Sequence, residues 1–88
     1  MATSFAKDIR PYFTACYRAH MIEFGGFDLW QQAEVQSHFD GILSRVNGGD
    51  MPVPSGQDGA CPEGGWDDLT RAQFVADFNS WKAGAFQP

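Results

Sequence analysis

The chain has 88 residues and a formal net charge of −5, from eleven acidic and six basic residues. No basic cluster occurs along it, which argues against nucleic acid or anionic lipid as a partner. No stretch approaches the roughly 20 apolar residues of a membrane span, and the N-terminus lacks an apolar run of signal-peptide length, so the sequence reads as an acidic, soluble, cytoplasmic protein. A chain this short is one domain, residues 1–88, and buries only about 60 to 65% of its unfolded surface. Eight Phe, three Trp and two Tyr supply the dense core this requires.

Asp8 is placed to cap a first helix whose opening turn accepts Pro11 without loss of a hydrogen bond. Ile9, Phe13, Cys16, Tyr17, His20 and Phe24 then recur at helical spacing, and Gly25-Gly26 ends the run. This predicts a helix over 9–24. Leu29 and Trp30 follow in a short apolar connection and are expected to plug the core.

A second helix is predicted over 31–47, with Val35, Phe39, Ile42, Leu43 and Val46 on its apolar side. Gly41 is its weak point, costing up to ~1 kcal/mol relative to alanine and marking a kink or a close helix crossing. Gly48-Gly49 ends the helix at the corner around which the chain is organised. Met51 then enters a loop stiffened by Pro52 and Pro54, and 52–65 shows no periodicity.

Thr70-Arg71-Ala72-Gln73 has the spacing of a capping box, which predicts a last helix over 71–83. Phe74, Phe78 and Trp81 line its inner face, and Gly84 is expected to end it in the left-handed conformation. No strand pattern appears. The fold class is therefore all-α, a single small three-helix domain with long loops. Trp30, Phe39, Leu43, Phe78 and Trp81 are expected to lie mutually close in it, with Trp66 near the core.

Few residues carry chemistry. Cys16 and His20 share a helix face at i, i+4, but neither an oxyanion hole nor a pocket announces itself, so the chain is not read as an enzyme. Cys16, His20 and Met51 would make a soft donor set for copper(I); packing roles for Met51 and His20 are the stronger reading. Cys16 and Cys61 lie in unlike surroundings without a zinc or disulfide framework, and both are expected to be reduced thiols.

Three segments together carry a family resemblance. Asp8-Ile9-Arg10-Pro11-Tyr12-Phe13 is the first, Ile42-Leu43-Ser44-Arg45-Val46 with Gly48-Gly49-Asp50-Met51-Pro52 the second, and Phe78-Asn79-Ser80-Trp81-Lys82-Ala83-Gly84 the third. In this order the chain resembles a small class I cytochrome c domain. That family attaches haem at C-x-x-C-H after its first helix and takes a second axial ligand from a Gly-x-Met-Pro loop. Cys16-Tyr17-Arg18-Ala19-His20 keeps one cysteine and the histidine, with Ala19 where the second cysteine belongs; a register one residue along puts Met21 in the histidine position. Met51 keeps its family position in both.

The resemblance so altered implies a haem-free relative with no cofactor, an accessory or protein-interaction module of a kind found in bacterial proteins, docking a partner protein. The first alternative is a haem or copper electron carrier using His20 or Met21 with Met51, and with Cys16 in the motif. The second is a binder of an apolar small molecule in the vestigial haem pocket. The aromatic side chains Phe27, Trp30, Phe39, Trp66, Phe74, Phe78 and Trp81 are expected to occupy the space of a porphyrin.

Overall fold

The computed structural model describes residues 3–49, 51, 61–62 and 64–88. The expected loop structure of 52–60 lies outside them. Ser4 opens the first helical stretch: its Oγ accepts from Lys7 N at 3.4 Å, and its own amide donates to Asp8 Oδ2 at 2.8 Å. The cap expected at Asp8 is therefore at Ser4, and Asp8 answers it from within the turn. Phe5–Ile9 is a wide turn of π type, and Arg10–Tyr12 tightens to 3₁₀ around Pro11.

The single helix expected over 9–24 is interrupted. Phe13 and Thr14 are extended, and the Thr14 hydroxyl accepts from Tyr17 N at 3.3 Å to start α1, Ala15–His20. A threonine at this place competes for the backbone and favours a new start over continuation. Met21–Gly25 widens again to a π turn, and Gly26, at φ +77°, ends it in the left-handed region that glycine adopts without cost.

The second predicted helix is also divided, into α2, Gln32–Ser37, and α3, Phe39–Asn47. The break is at His38 (φ −104°, ψ 17°), not at Gly41. His38 Nδ1 lies 2.9 Å from the Glu34 carbonyl, and its ring stacks on Phe27 at 3.9 Å between centroids. These contacts compensate for the distorted backbone, whereas Gly41 continues the helix. Gly49 follows α3 at φ +82°, as a helix-ending glycine pair requires.

The last helix, α4, spans Asp68–Ala83 and starts three residues before its expected first residue. Asp67 Oδ1 accepts from Thr70 N at 2.7 Å, so the aspartate is the cap and Thr70 lies inside the first turn. Gly84 has an ordinary φ of −85°; Ala85 and Phe86 are the left-handed residues, at φ 66° and 57°. Each such non-glycine residue costs about 1–2 kcal/mol. The turn they make sets Phe86 edge-on to Trp81 at 4.8 Å and brings the Gln87 carbonyl within 2.8 Å of Trp81 Nε1, which donates to it.

Trp81, Phe74, Phe78, Ile9, Leu29, Val35 and Val46 are fully buried. Phe39 of α3 stacks on Phe78 of α4 at 4.2 Å, with Trp81 5.7 Å beyond Phe78. Leu29 plugs the core as expected, but Trp30 does not join the Phe39–Phe78–Trp81 stack. It is half-buried, donates its indole N–H to the Phe13 carbonyl at 2.9 Å, and lies with Arg10 and Arg18 4.8 and 4.5 Å from its ring centroid. Adjacent positively charged side chains favour an indole at the surface of the core, where its π face meets them. Leu43 packs partly buried against the core.

The first and last described segments close on each other. Phe5 N donates to the Gln87 carbonyl at 2.9 Å, and Ser4 Oγ to the Pro88 carbonyl at 2.9 Å. Among the described residues the architecture is helical, without a strand, and no helix is long and apolar enough to cross a membrane.

Candidate functional site

Between α1, the turn that follows it, and α3 lies a cavity of about 380 Å³. Phe13, Tyr17, Phe27, Leu29, Ile42 and Trp66 form apolar walls, Met21 and Met51 add thioethers, and Phe24 stands at the rim, 76% exposed. Gly41 contributes no side chain, and a β-carbon placed on it would meet nothing within 4 Å. The charged or ionisable nitrogens in the lining are those of His20, His38 and Arg45; no carboxylate lines it among the described residues.

His38, Gly41, Ile42 and Arg45 fall at i, i+3, i+4 and i+7, which puts them on one face of α3 across the break. Ile42 was legible as apolar. The other three were not singled out as a face, although their spacing is the signal that would have found them. The loop opposite is held by Arg18, whose Nε and Nη2 donate to Asp28 Oδ1 and Oδ2 at 2.8 and 2.9 Å. Trp30 N adds a third bond to Asp28 at 2.9 Å. The Arg18 hydrogen bonds come first in holding the Asp28 carboxyl below its usual range, the Trp30 amide second. This clamp flanks Phe27 and Leu29, two cavity walls.

Behind the cavity Tyr12, Phe13, Tyr17, Trp66 and Phe74 form an aromatic cluster, with Trp66 4.8 Å from Phe74. Tyr12 Oη donates to Asp77 Oδ2 at 2.7 Å, and burial, then that bond, pushes the phenol up to about 12. Tyr17 Oη donates to the Gly64 carbonyl at 2.5 Å, tying α1 to the segment before α4.

Cys16 and Cys61 form a disulfide, with Cα atoms 5.9 Å apart. The expected pair of reduced thiols is thus overturned. Reading the two surroundings separately missed that the fold brings Cys61, buried, to the partly buried Cys16 of α1, within the span a bridge requires. A ring nitrogen of His20, one turn beyond Cys16, lies within 4.8 Å of both sulfurs.

The predicted site residues therefore divide. His20, Met51 and Trp66 share the cavity lining, and Cys16 joins it through its bond to Cys61. Phe39, Phe78 and Trp81 lie in the stacked core, and Trp30 between two arginines. Of the seven aromatics expected to fill a porphyrin's space, only Phe27 and Trp66 reach the cavity, and they line it without closing it. Compared with protein-family models, curated proteins and solved structures, the chain matches none.

Proposed function

We propose that the chain is a haem-free cytochrome c-like binding module whose cavity takes an apolar small molecule bearing an anionic group. The observation that carries this is the cavity itself. Its volume of about 380 Å³ falls in the range of small-molecule sites, roughly 300–1,000 Å³, and its walls are aromatic and aliphatic with a few convergent polar groups. In a protein of net charge −5, a lining that presents the Arg45 guanidinium and no carboxylate among the described residues favours an anion.

A covalently held haem does not fit the residues present. Cys16 is committed to Cys61, Ala19 offers no sulfur, and the bridge crowds the ring nitrogen of His20. Binding rather than catalysis suits His20, whose ring meets Phe24 at 5.8 Å and has no carboxylate to orient it among the described residues. The bridge also supports a working place in an oxidising compartment rather than the cytoplasm.

The test is titration with 1-anilinonaphthalene-8-sulfonate, an apolar ring system with one anionic group, followed by fluorescence. Saturable binding at one site is expected, weakened about tenfold or more in Arg45→Ala, the loss of one hydrogen bond to a charged group. Absence of saturable binding, or binding unchanged in both Arg45→Ala and the cavity-filling Gly41→Leu, would overturn the reading.

A second reading, a protein-interaction module, is favoured by Phe24 and Ile22, which are 76% and 47% exposed at or beside the cavity rim. It requires that Ile22→Ser, at a residue outside the cavity lining, abolish capture of a partner while leaving the dye affinity unaltered.

A further inference from the structure

We infer that reduction of the Cys16–Cys61 bridge converts it, with His20, into a three-donor site for Cu(I). This goes beyond the cavity reading and rests on the bridge and the imidazole alone.

Two independent elements supply the donors. Cys16 and His20 are one turn apart on α1, and Cys61 is bonded to Cys16 across a sequence separation of 45. All three ligand atoms lie within 4.8 Å of one another. Metal–sulfur bonds of about 2.3 Å and a metal–nitrogen bond of about 2.0 Å place such donors roughly 3.6–4.0 Å apart around one ion. The sulfurs must therefore part and the imidazole close in, movements of an ångström or two that side-chain rotation supplies. The backbone is already set: the 5.9 Å between the cysteine Cα atoms brings both side chains to one point.

The donor chemistry chooses the metal. Two thiolates and an imidazole form a complete trigonal set for soft, closed-shell Cu(I), whereas a structural zinc site demands four donors of nitrogen, thiolate or carboxylate type. The neighbouring groups are soft as well. Met51, buried, and Met21 line the same cavity as Cys61, and no described carboxylate does.

The chemistry balances with an external dithiol as reductant. One of its thiolates attacks a bridge sulfur, the Cys16–Cys61 bond breaks, and the mixed disulfide is resolved by the second thiol. The reductant leaves as a disulfide, having given two electrons and two protons, and Cys16 and Cys61 become thiols. Binding Cu(I) then forms two copper–sulfur bonds and releases both thiol protons, while the imidazole binds neutral. The oxidised protein has no thiolate to offer, so copper occupancy follows the redox state.

The experiment is anaerobic competition for Cu(I) against the chromophoric chelator bicinchoninate, with protein reduced by dithiothreitol and desalted. Expected is one equivalent of Cu(I) withdrawn from the chelator by the reduced protein and none by the oxidised protein. Affinity should fall at least about 10- to 100-fold in His20→Ala and further in Cys16→Ser/Cys61→Ser. X-ray absorption should report two sulfur neighbours and one nitrogen. Dye titration of the oxidised wild type is read separately, which distinguishes failure here from failure of the cavity reading.

Copper retention by the double variant equal to wild type, or a nitrogen-free copper shell unaffected by His20→Ala, would overturn the inference. Circular dichroism is recorded in parallel: where reduction lowers the helix content, its recovery with the first equivalent of Cu(I) supports the site, and copper bound to a chain that stays unfolded refutes it.

Discussion

Gly41 offers the most direct access to the cavity. Its replacement by leucine adds two effects of the same sign. Glycine within α3 is about 0.8–1.0 kcal/mol less favourable than alanine, with leucine close to alanine. A leucine side chain would also enter space in which a β-carbon meets nothing within 4 Å. Gly41 stands on the open side of the cavity, so about half of the 1.5–3 kcal/mol for full burial is available, roughly 1 kcal/mol. Gly41→Ala should therefore stabilise by about 0.8 kcal/mol and Gly41→Leu by about 1–2 kcal/mol. At 4–8 °C per kcal/mol for a domain of this size, the leucine variant should melt roughly 5–15 °C higher. Thermal unfolding followed by far-ultraviolet circular dichroism measures both. The same variant should lose the naphthalene dye, so stability and binding move in opposite directions at one position. A leucine variant less stable than the alanine variant by 1 kcal/mol or more would mean that the space is filled, and the reasoning would fall with it.

Three further outcomes follow from the packing. Phe78→Ala, at a fully buried ring stacked on Phe39, should cost roughly 3–5 kcal/mol in urea unfolding, a large share of the total for so small a domain; a loss under 1 kcal/mol would contradict the core. Replacing both Cys16 and Cys61 by alanine opens a loop with a sequence separation of 45, which in the chain-entropy account removes roughly 4 kcal/mol; thiol titration of the native wild type should find no free thiol. The Tyr12 phenol is raised from 10 to about 12, so the folded state holds its proton where the unfolded state has lost it. That contribution is complete below pH 10 and disappears as pH rises towards 12. An ultraviolet phenolate titration should show a late component that Asp77→Asn moves to lower pH.

Periodicity carried the helices because their inner faces are apolar at regular spacing: Phe74, Phe78 and Trp81 could be read directly, as could Val35, Phe39, Ile42 and Val46. The interruptions were not legible from that signal. Thr14 and His38 both occupy places in an uninterrupted helical pattern, and what breaks the helix there is a side-chain bond to the backbone or a stacked neighbour. The cap at Asp67 was missed for a related reason. Asp67 and Thr70 both have capping side chains, and the choice between them rests on where the preceding chain arrives. His20 and Met51 could be placed on one site through the family resemblance, and they do share a lining. Cys61 and Arg45 could not, because one lies in an aperiodic loop and the other on the polar margin of its helix.

The bonds between Ser4, Phe5 and the Gln87–Pro88 segment make the described fold nearly a closed ring. In such a ring the position of the break is a matter of convenience. Joining the two ends by a few glycines and serines would ask little of the linker, since they are already hydrogen-bonded neighbours. New ends could then be opened at the exposed Gly25-Gly26 turn, where the chain leaves a helix in the left-handed conformation. A permuted chain of this kind would begin with Phe27–Trp30, α2 and α3 and end with α1, so the cavity would join its two extremities, with Met51 and Trp66 contributed from between them. If it folds with the bridge intact, the site depends on which elements meet and not on the order in which they are synthesised.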